Sequence, residues 1–488
     1  MSYPEEVVKL MKDRFPFRDL RERLAFCDDA GMLIRNTDEI TRQEISALSY
    51  MVAREKDPLH PGLLEENIKG WPGWRFAHNT FDTREKLSLA CGTTLDRVYV
   101  ELTAKMWTGV PPIEVGTGPC KELKFTGDEV DLTMIPVMLS GEFDSTPHFL
   151  SNLLNNRDPE TGWQNLANRR IHLKGKNRGV IDLVPGQQDS VIFMKYAMMG
   201  KPMPCITMNG VEPLTYICCA LKAPAGFAEL EFWGAVTGRP LEVVASETHK
   251  EIYTPSHAEI VLEGDVHPWE REMEGPFSEY MGYYCPLAVR IVNRITTVTM
   301  REDPIYYQFY FGVTPSEGDA IGNFVSELAA FKDLRDKLGP LVTAVRALDY
   351  GVGMIIQVDK NVIKGIPGIH KHTAPLARIT MGPAWNHVAW IVDTDTNIWD
   401  DRDILRAMCH KMMGDKDIDF IRYSADSRLH PAARWEFPED DTLCCFTIMD
   451  CTEPPPPHDM WYRRGQALPP RAALEEMEKK YPNIYKKK

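Results

Sequence analysis

Between residues 120 and 315 the chain breaks into short β-branched segments bounded by Gly, Pro, Asn or Asp, and only a fold with a large sheet can absorb them. GVIDLV, VIFMKYAMMG, EIVLEG and AVRIVNRITTVTM are the clearest. Some alternate apolar and polar residues and others are continuously apolar, which predicts a mixed or barrel-like sheet with buried strands. The flanks read differently. Asp19 opens a helical pattern that Gly31 stops, and Arg84 to Gly92 is another short helical stretch. Thr41 and Glu44 form a capping-box signature ahead of Ile45, Leu48 and Val52. Beyond the strands, Phe324, Leu328, Phe331, Leu334 and Leu338 recur near a helical period until Gly339-Pro340. Strand and helix then alternate through MIIQVD, HVAWIVDTD and DILRAMCHKMM.

The expected fold class is therefore α/β (α+β). A small N-terminal α/β module spans 1–115, a mixed-sheet domain 116–315, a linker helix 316–338 and a C-terminal α/β domain 339–488. Pro454 to Pro457 starts a polar tail that ends in three lysines.

At 488 residues the chain is too long for one core, and 43% hydrophobic with 26% charged residues is ordinary globular composition. A net charge of -14 argues against a nucleic-acid partner, which would require clustered Lys and Arg. No apolar run approaches the roughly 20 residues of a membrane span. The start, MSYPEEVVKLMKDRF, lacks the apolar stretch of a secretory signal. The eleven cysteines contain no C-x-x-C, and the pairs Cys218-Cys219 and Cys444-Cys445 sit in apolar runs, so they read as buried thiols. A reducing cytoplasm is the expected compartment.

Three segments carry chemistry. Glu274-Gly-Pro-Phe-Ser-Glu279-Tyr-Met-Gly-Tyr-Tyr284 places two carboxylates on a Gly-Pro turn that can aim both at one cavity, where burial raises a carboxyl pKa toward neutrality. Asn165-Leu-Ala-Asn168-Arg169-Arg170-Ile-His172, followed by Val184-Pro-Gly-Gln187-Gln188, sets adjacent arginines in an apolar, strand-rich region, which is costly unless they meet carboxylate or phosphate. The acidic turn is the obvious partner. Ala228-Glu229-Leu-Glu231-Phe-Trp-Gly-Ala235, read as a strand, points Glu229 and Glu231 the same way, and Asn and Glu oxygens suit a hard cation that could clip a cofactor phosphate. Taken singly, each has a plainer reading as surface or edge-strand charge.

In this order the segments resemble the UbiD family: Asn165 to Arg170 as N-x-x-x-x-R, Glu274 to Glu279 as E-G-P-F-x-E, then Gly282-Tyr283, with AEIVLEG at Ala258–Gly264 upstream. DLRERLAFCDDAGMLIR and VAWIVDTDTNIWDDRDILRAM extend the resemblance over nearly the whole chain. It implies a split-barrel-like flavin-binding domain, an oligomerising C-terminal domain, and a carboxy-lyase acting on an aromatic or α,β-unsaturated acid and CO₂. It also implies prenylated FMN, made by a flavin prenyltransferase, with Mn²⁺ or a similar divalent cation and K⁺ as a candidate further ion. By the same resemblance Asn165, Gln188 and Glu229 hold the metal, although some members carry histidine at the Gln188 position. Asn165, Asn168, Arg169, Arg170, Gln187, Gln188 and Glu229 bind the cofactor. Arg170 orients the substrate carboxylate, Glu274 holds Arg170, Glu279 donates the proton that replaces CO₂, and Tyr280 and Met281 line the pocket.

Two other classes remain open at this point. A glycosidase built on Glu274 and Glu279 has the minimum equipment but leaves the paired arginines unexplained. A non-catalytic partner subunit would have no need of Arg170, Glu274 and Glu279 together. His370 and His372 in GIHKHTAP read as a polar loop without a nearby acid, His410 as a last-turn helix cation, and WPGW at Trp71–Trp74 as packing.

Overall fold

The computed structural model of the protein describes residues 3–481 except 150, 222, 314, 349–352, 363–365, 367, 382–386, 426–442, 456, 463–464 and 466. The three C-terminal lysines of the expected tail lie outside the described residues.

The centre is a nine-stranded sheet. Its order runs His148–Phe149, Ile171–Leu173, Arg178–Ile181, Ala288–Met300, Ile260–Glu274, Met203–Asn209, Leu153–Arg157, Gln164–Asn168, with Leu123–Thr126 pairing alongside Ala288–Met300. All its pairings are antiparallel. One consequence follows from chain length alone. Gln164–Asn168 is one edge and Ile171–Leu173 lies next to the other, yet only Arg169 and Arg170 join them. At roughly 3.3–3.6 Å per residue this link cannot cross a flat sheet, so the sheet must curl until its ends approach. The split-barrel-like expectation holds as a curled half-barrel. Two apolar clusters pack on it, one around Phe149, Ile171, Leu262 and Val298, the other around Leu154, Ile181, Phe193 and Val266. Trp71 and Trp74 pack against the first, as the WPGW segment predicts.

Before it, helices Glu5–Arg14, Leu20–Asp29, Arg42–Val52, Arg84–Ala90 and Leu95–Lys105 surround a four-stranded sheet. The capping box is formed: Glu44 N donates to Thr41 Oγ1 (3.3 Å) and Thr41 N to Glu44 Oε2 (2.8 Å). This small sheet takes its fourth strand from Ile305–Tyr307, so sequence-distant segments complete it. Helix Glu317–Leu338 leads to a five-stranded sheet ordered Val342–Ala347, Gly353–Val358, Val388–Asp393, Leu443–Cys451, Ile418–Ala425. Helices Thr373–Met381 and Asp401–Lys411 accompany it, with His410 in the last turn of the second.

Two segments expected as strands are helices. All but the last two residues of VIFMKYAMMG belong to Gln188–Met198, and ELEFWGA to Glu229–Thr237, which ends at Gly238 in the left-handed region (φ 76°). Continuous apolar runs do not distinguish buried strand from buried helix, and here the helical solution buries Ile192 and Phe193 in one case and Phe232 and Trp233 in the other. His370 is also not without an acid: its Nε2 lies 2.8 Å from Asp450 Oδ2, supplied 80 positions later. All eleven cysteines are free thiols; Cys218, Cys219 and Cys444 are buried and Cys445 is half-buried. Among the described residues no helix is long and apolar enough to cross a membrane.

Candidate active site

The link between the approaching sheet ends places its two arginines on opposite partners. Arg169 turns to the start of helix Gln188–Met198: Nε donates to Asp189 Oδ2 (2.5 Å), Nη2 to Asp189 Oδ1 (2.8 Å) and to Gln187 Oε1. Arg170 turns to the acidic segment. Its Nε donates to Glu274 Oε1 (2.7 Å), Nη2 to Glu274 Oε2 (3.1 Å) and Nη1 to Glu279 Oε1 (2.7 Å). The expectation that the acidic turn would satisfy both arginines therefore holds for Arg170, while Asp189 serves Arg169.

Gly275 makes the approach of both glutamates feasible, because its φ of 87° is a conformation that side-chain-bearing residues rarely adopt. The turn is held from behind at every step. Gly275 N donates to His172 Nδ1 (3.3 Å), Ser145 N to Pro276 O (3.0 Å) and Ser278 N to Asp144 Oδ1 (2.7 Å). Accepting at Nδ1 leaves the His172 ring proton on Nε2, which meets Thr146 Oγ1. The ring stacks on His148 (centroids 4.1 Å apart), His148 lies 4.3 Å from Phe277, and the Arg170 guanidinium sits 5.2 Å over the Phe277 ring. His172 is pushed down to about 4, first by burial and then by Lys174 and Arg170, so it is a neutral acceptor.

Asp182 and Arg290 complete the cluster. Arg290 Nε is 3.0 Å from Asp182 Oδ1 and 3.4 Å from Glu274 Oε2, and Arg170 Nη2 is 3.7 Å from Asp182 Oδ2. Burial opposes the Arg170 charge, but Glu279 and Glu274 outweigh it and hold its pKa above the usual value. Glu279 is pushed up by burial; Arg170 counteracts this, and Glu274 and Asp182 reinforce it. Three carboxyl groups facing two guanidiniums are balanced by one carboxyl proton, and Glu279 is suited to carry it. Tyr280 and Met281, next along the turn, are buried as well. Sequence reasoning assigned no role to Asp144, His172, Asp182, Asp189 or Arg290. The available signal was a polar residue breaking an apolar strand, as in GVIDLV and AVRIVNR.

A second group of side chains lies around a cavity of about 880 Å³, bordered by Leu166, Gln188, Lys195, Glu229 and Glu231 among others. Glu229 and Glu231 open a helix instead of lying on one strand face, yet both border this cavity. Glu229 is buried, accepts from Leu166 N (3.0 Å), and is pushed up to about 7 by burial, with no cation contributing. Asn165, which precedes Leu166 in the strand, is buried with Nδ2 3.5 Å from Asn156 Oδ1 and is not among the residues bordering the cavity. Gln188 donates Nε2 to Ala223 O (2.9 Å), leaving Oε1 as the atom it offers. The donors are thus all oxygen, and a buried carboxylate without a counter-charge fits a hard divalent cation. Asn168 is exposed at the end of its strand, one residue before Arg169. A separate acidic group, Asp393, Asp395 and Glu453, is already served by the Lys411 ammonium, 2.5 Å from Asp395 Oδ1.

The family model described as the 3-octaprenyl-4-hydroxybenzoate carboxy-lyase Rift-related domain matches residues 113–314, and that of the C-terminal domain of the same carboxy-lyase matches 319–442. The phenolic acid decarboxylase of Sedimentibacter hydroxybenzoicus is 26% identical over 485 residues, covering 96% of this chain and 98% of that relative. The vanillic acid decarboxylase of the same organism, in closed form, superposes with a TM-score of 0.83 at 26% identity, covering 96% and 99% of the two chains. An evolved dimeric form of the UbiD-class enzyme HmfF from Pelotomaculum thermopropionicum, in complex with prFMN, gives a TM-score of 0.81 at 25% identity, covering 94% and 98%. By matches that run along the sheet and the C-terminal region alike, the chain belongs to the UbiD family of carboxy-lyases.

Proposed function

We propose that this carboxy-lyase catalyses reversible, non-oxidative decarboxylation of an aromatic or α,β-unsaturated carboxylic acid with prenylated FMN. The observation that carries the reading is the buried Arg170–Glu274–Glu279 cluster, which joins a fixed guanidinium to an acid of raised pKa. When bound, the cofactor supplies an electron sink as CO₂ leaves. The protein supplies position and protons. Glu274 takes Nε and Nη2 of Arg170 and Glu279 takes Nη1, so each terminal nitrogen keeps one further N–H to orient a substrate carboxylate. Glu279 donates the proton that replaces CO₂ and recovers it from solvent in the next cycle. Asn165, Gln188 and Glu229 would hold a Mn²⁺-like ion at the cofactor phosphate. Arg169, held on Asp189 and Gln187, and Asn168 shape the remaining cofactor site.

The divisions at 115 and 315 are supported by the family matches at 113–314 and 319–442, and the one at 338 by the end of helix Glu317–Leu338. A homo-oligomer is supported by edge strand Ile418–Ala425, which exposes Phe420, Ile421 and Tyr423. The free thiols fit a cytoplasmic setting, with a flavin prenyltransferase as cofactor supplier. The test is to purify the chain from cells making prenylated FMN, weigh the released flavin, and assay aromatic and unsaturated acids for CO₂ release. Recovery of the modified flavin with CO₂ release supports the reading. A flavin-free protein that releases none would refute it in favour of a partner subunit.

A further inference from the structure

Arg290 is a second guanidinium on the acidic turn. It comes from strand Ala288–Met300, where it pairs in register with Glu272 of the neighbouring strand, and it faces both Asp182 and Glu274. Arg170 faces the same two carboxylates and also Glu279. The two arginines therefore share Glu274 and Asp182, while among the described residues the ion pair of Glu279 is with Arg170 alone. The Arg290 Nε is buried and makes no hydrogen bond, so what it brings to the cluster is charge.

We propose that Arg290 and Asp182 are positioning residues of the acidic turn: Arg290 supplies the second positive charge that keeps Glu274 on Arg170, and the pair sets the pH at which Glu279 gives up its proton. The groups facing Glu279 from the surrounding elements are few. They are Arg170 from the inter-strand link, Glu274 at the end of Ile260–Glu274, Asp182 after Arg178–Ile181, and the Cys285 thiol, which burial keeps protonated; Arg290 reaches Glu279 through the Glu274 and Asp182 carboxylates it pairs with. His172 lies behind Gly275 as a neutral ring. Arg178, at the start of its strand, is engaged with Glu272 at 3.5 Å.

In a water-poor cluster, one charge within about 4–6 Å moves a carboxyl midpoint by about 1–3 units. Removing the Arg290 charge leaves three carboxyl groups on one guanidinium, so Glu279 should keep its proton to higher pH. Removing the Asp182 charge should do the reverse. Residues that serve only as packing would not move the midpoint in opposite directions. The titration belongs to the cluster, so it is the displacement between variants that is read.

The proposal deepens the proton-donor reading, but its test needs no turnover. Infrared spectra of the full-length protein as purified would follow the protonated-carboxyl band against pH, assigned to Glu279 by its loss in Glu279→Gln. The midpoint should rise by about 1–2 units in Arg290→Gln, fall in Asp182→Asn, and stay near wild type in Arg290→Lys. Unmoved midpoints, displacement of both in the same direction, or no band that depends on Glu279 would overturn the proposal. Should Arg290→Gln not fold, the Asp182→Asn and Arg290→Lys midpoints decide. In active enzyme the basic limb of kcat/KM should move with the band. A protein without turnover would defeat the decarboxylase reading and leave the infrared result standing.

Discussion

Arg170 and Glu274 meet as a two-point fork, Nε to Oε1 at 2.7 Å and Nη2 to Oε2 at 3.1 Å, across 104 positions of the chain. Such a fork fixes the plane of the guanidinium as well as its place. Arg170→Ala should therefore do two kinds of harm. It leaves Glu274 buried without the fork, which costs about 3–5 kcal/mol when a buried pair is broken. It also removes the proposed carboxylate clamp, so substrate binding should be lost. Denaturant unfolding and equilibrium binding of a substrate acid measure the two separately.

Glu279→Gln should leave fold and substrate binding intact while lowering turnover by about 10²–10⁴, because an amide is close in shape but delivers no proton. Exchange of deuterium into the product carbon should fall in step. Near-normal exchange in this variant would move the donor role to Glu274.

His172 predicts an acid-side loss of stability. Its pKa is lowered in the folded protein from 6.5 to about 4, so the unfolded chain binds a proton that the folded protein refuses. The contribution is present in full above about 6.5 and is lost as pH falls toward 4. His148 is lowered too, first by burial and then by His172 and Arg170, and adds in the same sense. Urea midpoints compared across this window should show a smaller pH dependence in His172→Gln, which keeps an acceptor for Gly275 N. Equal dependence in both proteins would exclude His172 as the linked group.

Arg169 and Asp189 should behave as one unit. Arg169→Met and Asp189→Asn should each weaken flavin retention, and a double-mutant cycle should show coupling of at least about 0.5 kcal/mol. Additive losses, read from flavin titrations, would mean that the two act separately on the cofactor.

What could be read from the sequence was whatever obeys a local rule or a strong energetic one. The Thr41–Glu44 capping box is local, and it forms as expected. The pairing of Arg170 with the acidic turn was legible because an arginine in an apolar region must find a counter-charge. The choice of Asp189 for Arg169 was not, since it depends on reading residues 188–198 as helix, and an apolar run like VIFMKYAMM serves either structure. The same ambiguity hid the helix at Glu229, although the cavity-lining position of its carboxylate survives the change. Arg290, Asp182 and the His370–Asp450 contact depend on strand register and sheet order, which no local window contains.

The two-residue link at Arg169-Arg170 has a consequence for how the site can diversify. One peptide bond separates the side chain held at Asp189, on the side proposed for the cofactor, from the side chain held on the acidic turn. The sheet ends close across that link, so inserting or deleting a single residue there would turn both arginines away from their partners together. Single residues around either half can therefore change without disturbing the other, but the spacing between the halves acts as a fixed ruler. Homologues that alter the substrate should do so through side chains facing the turn, with this interval unchanged.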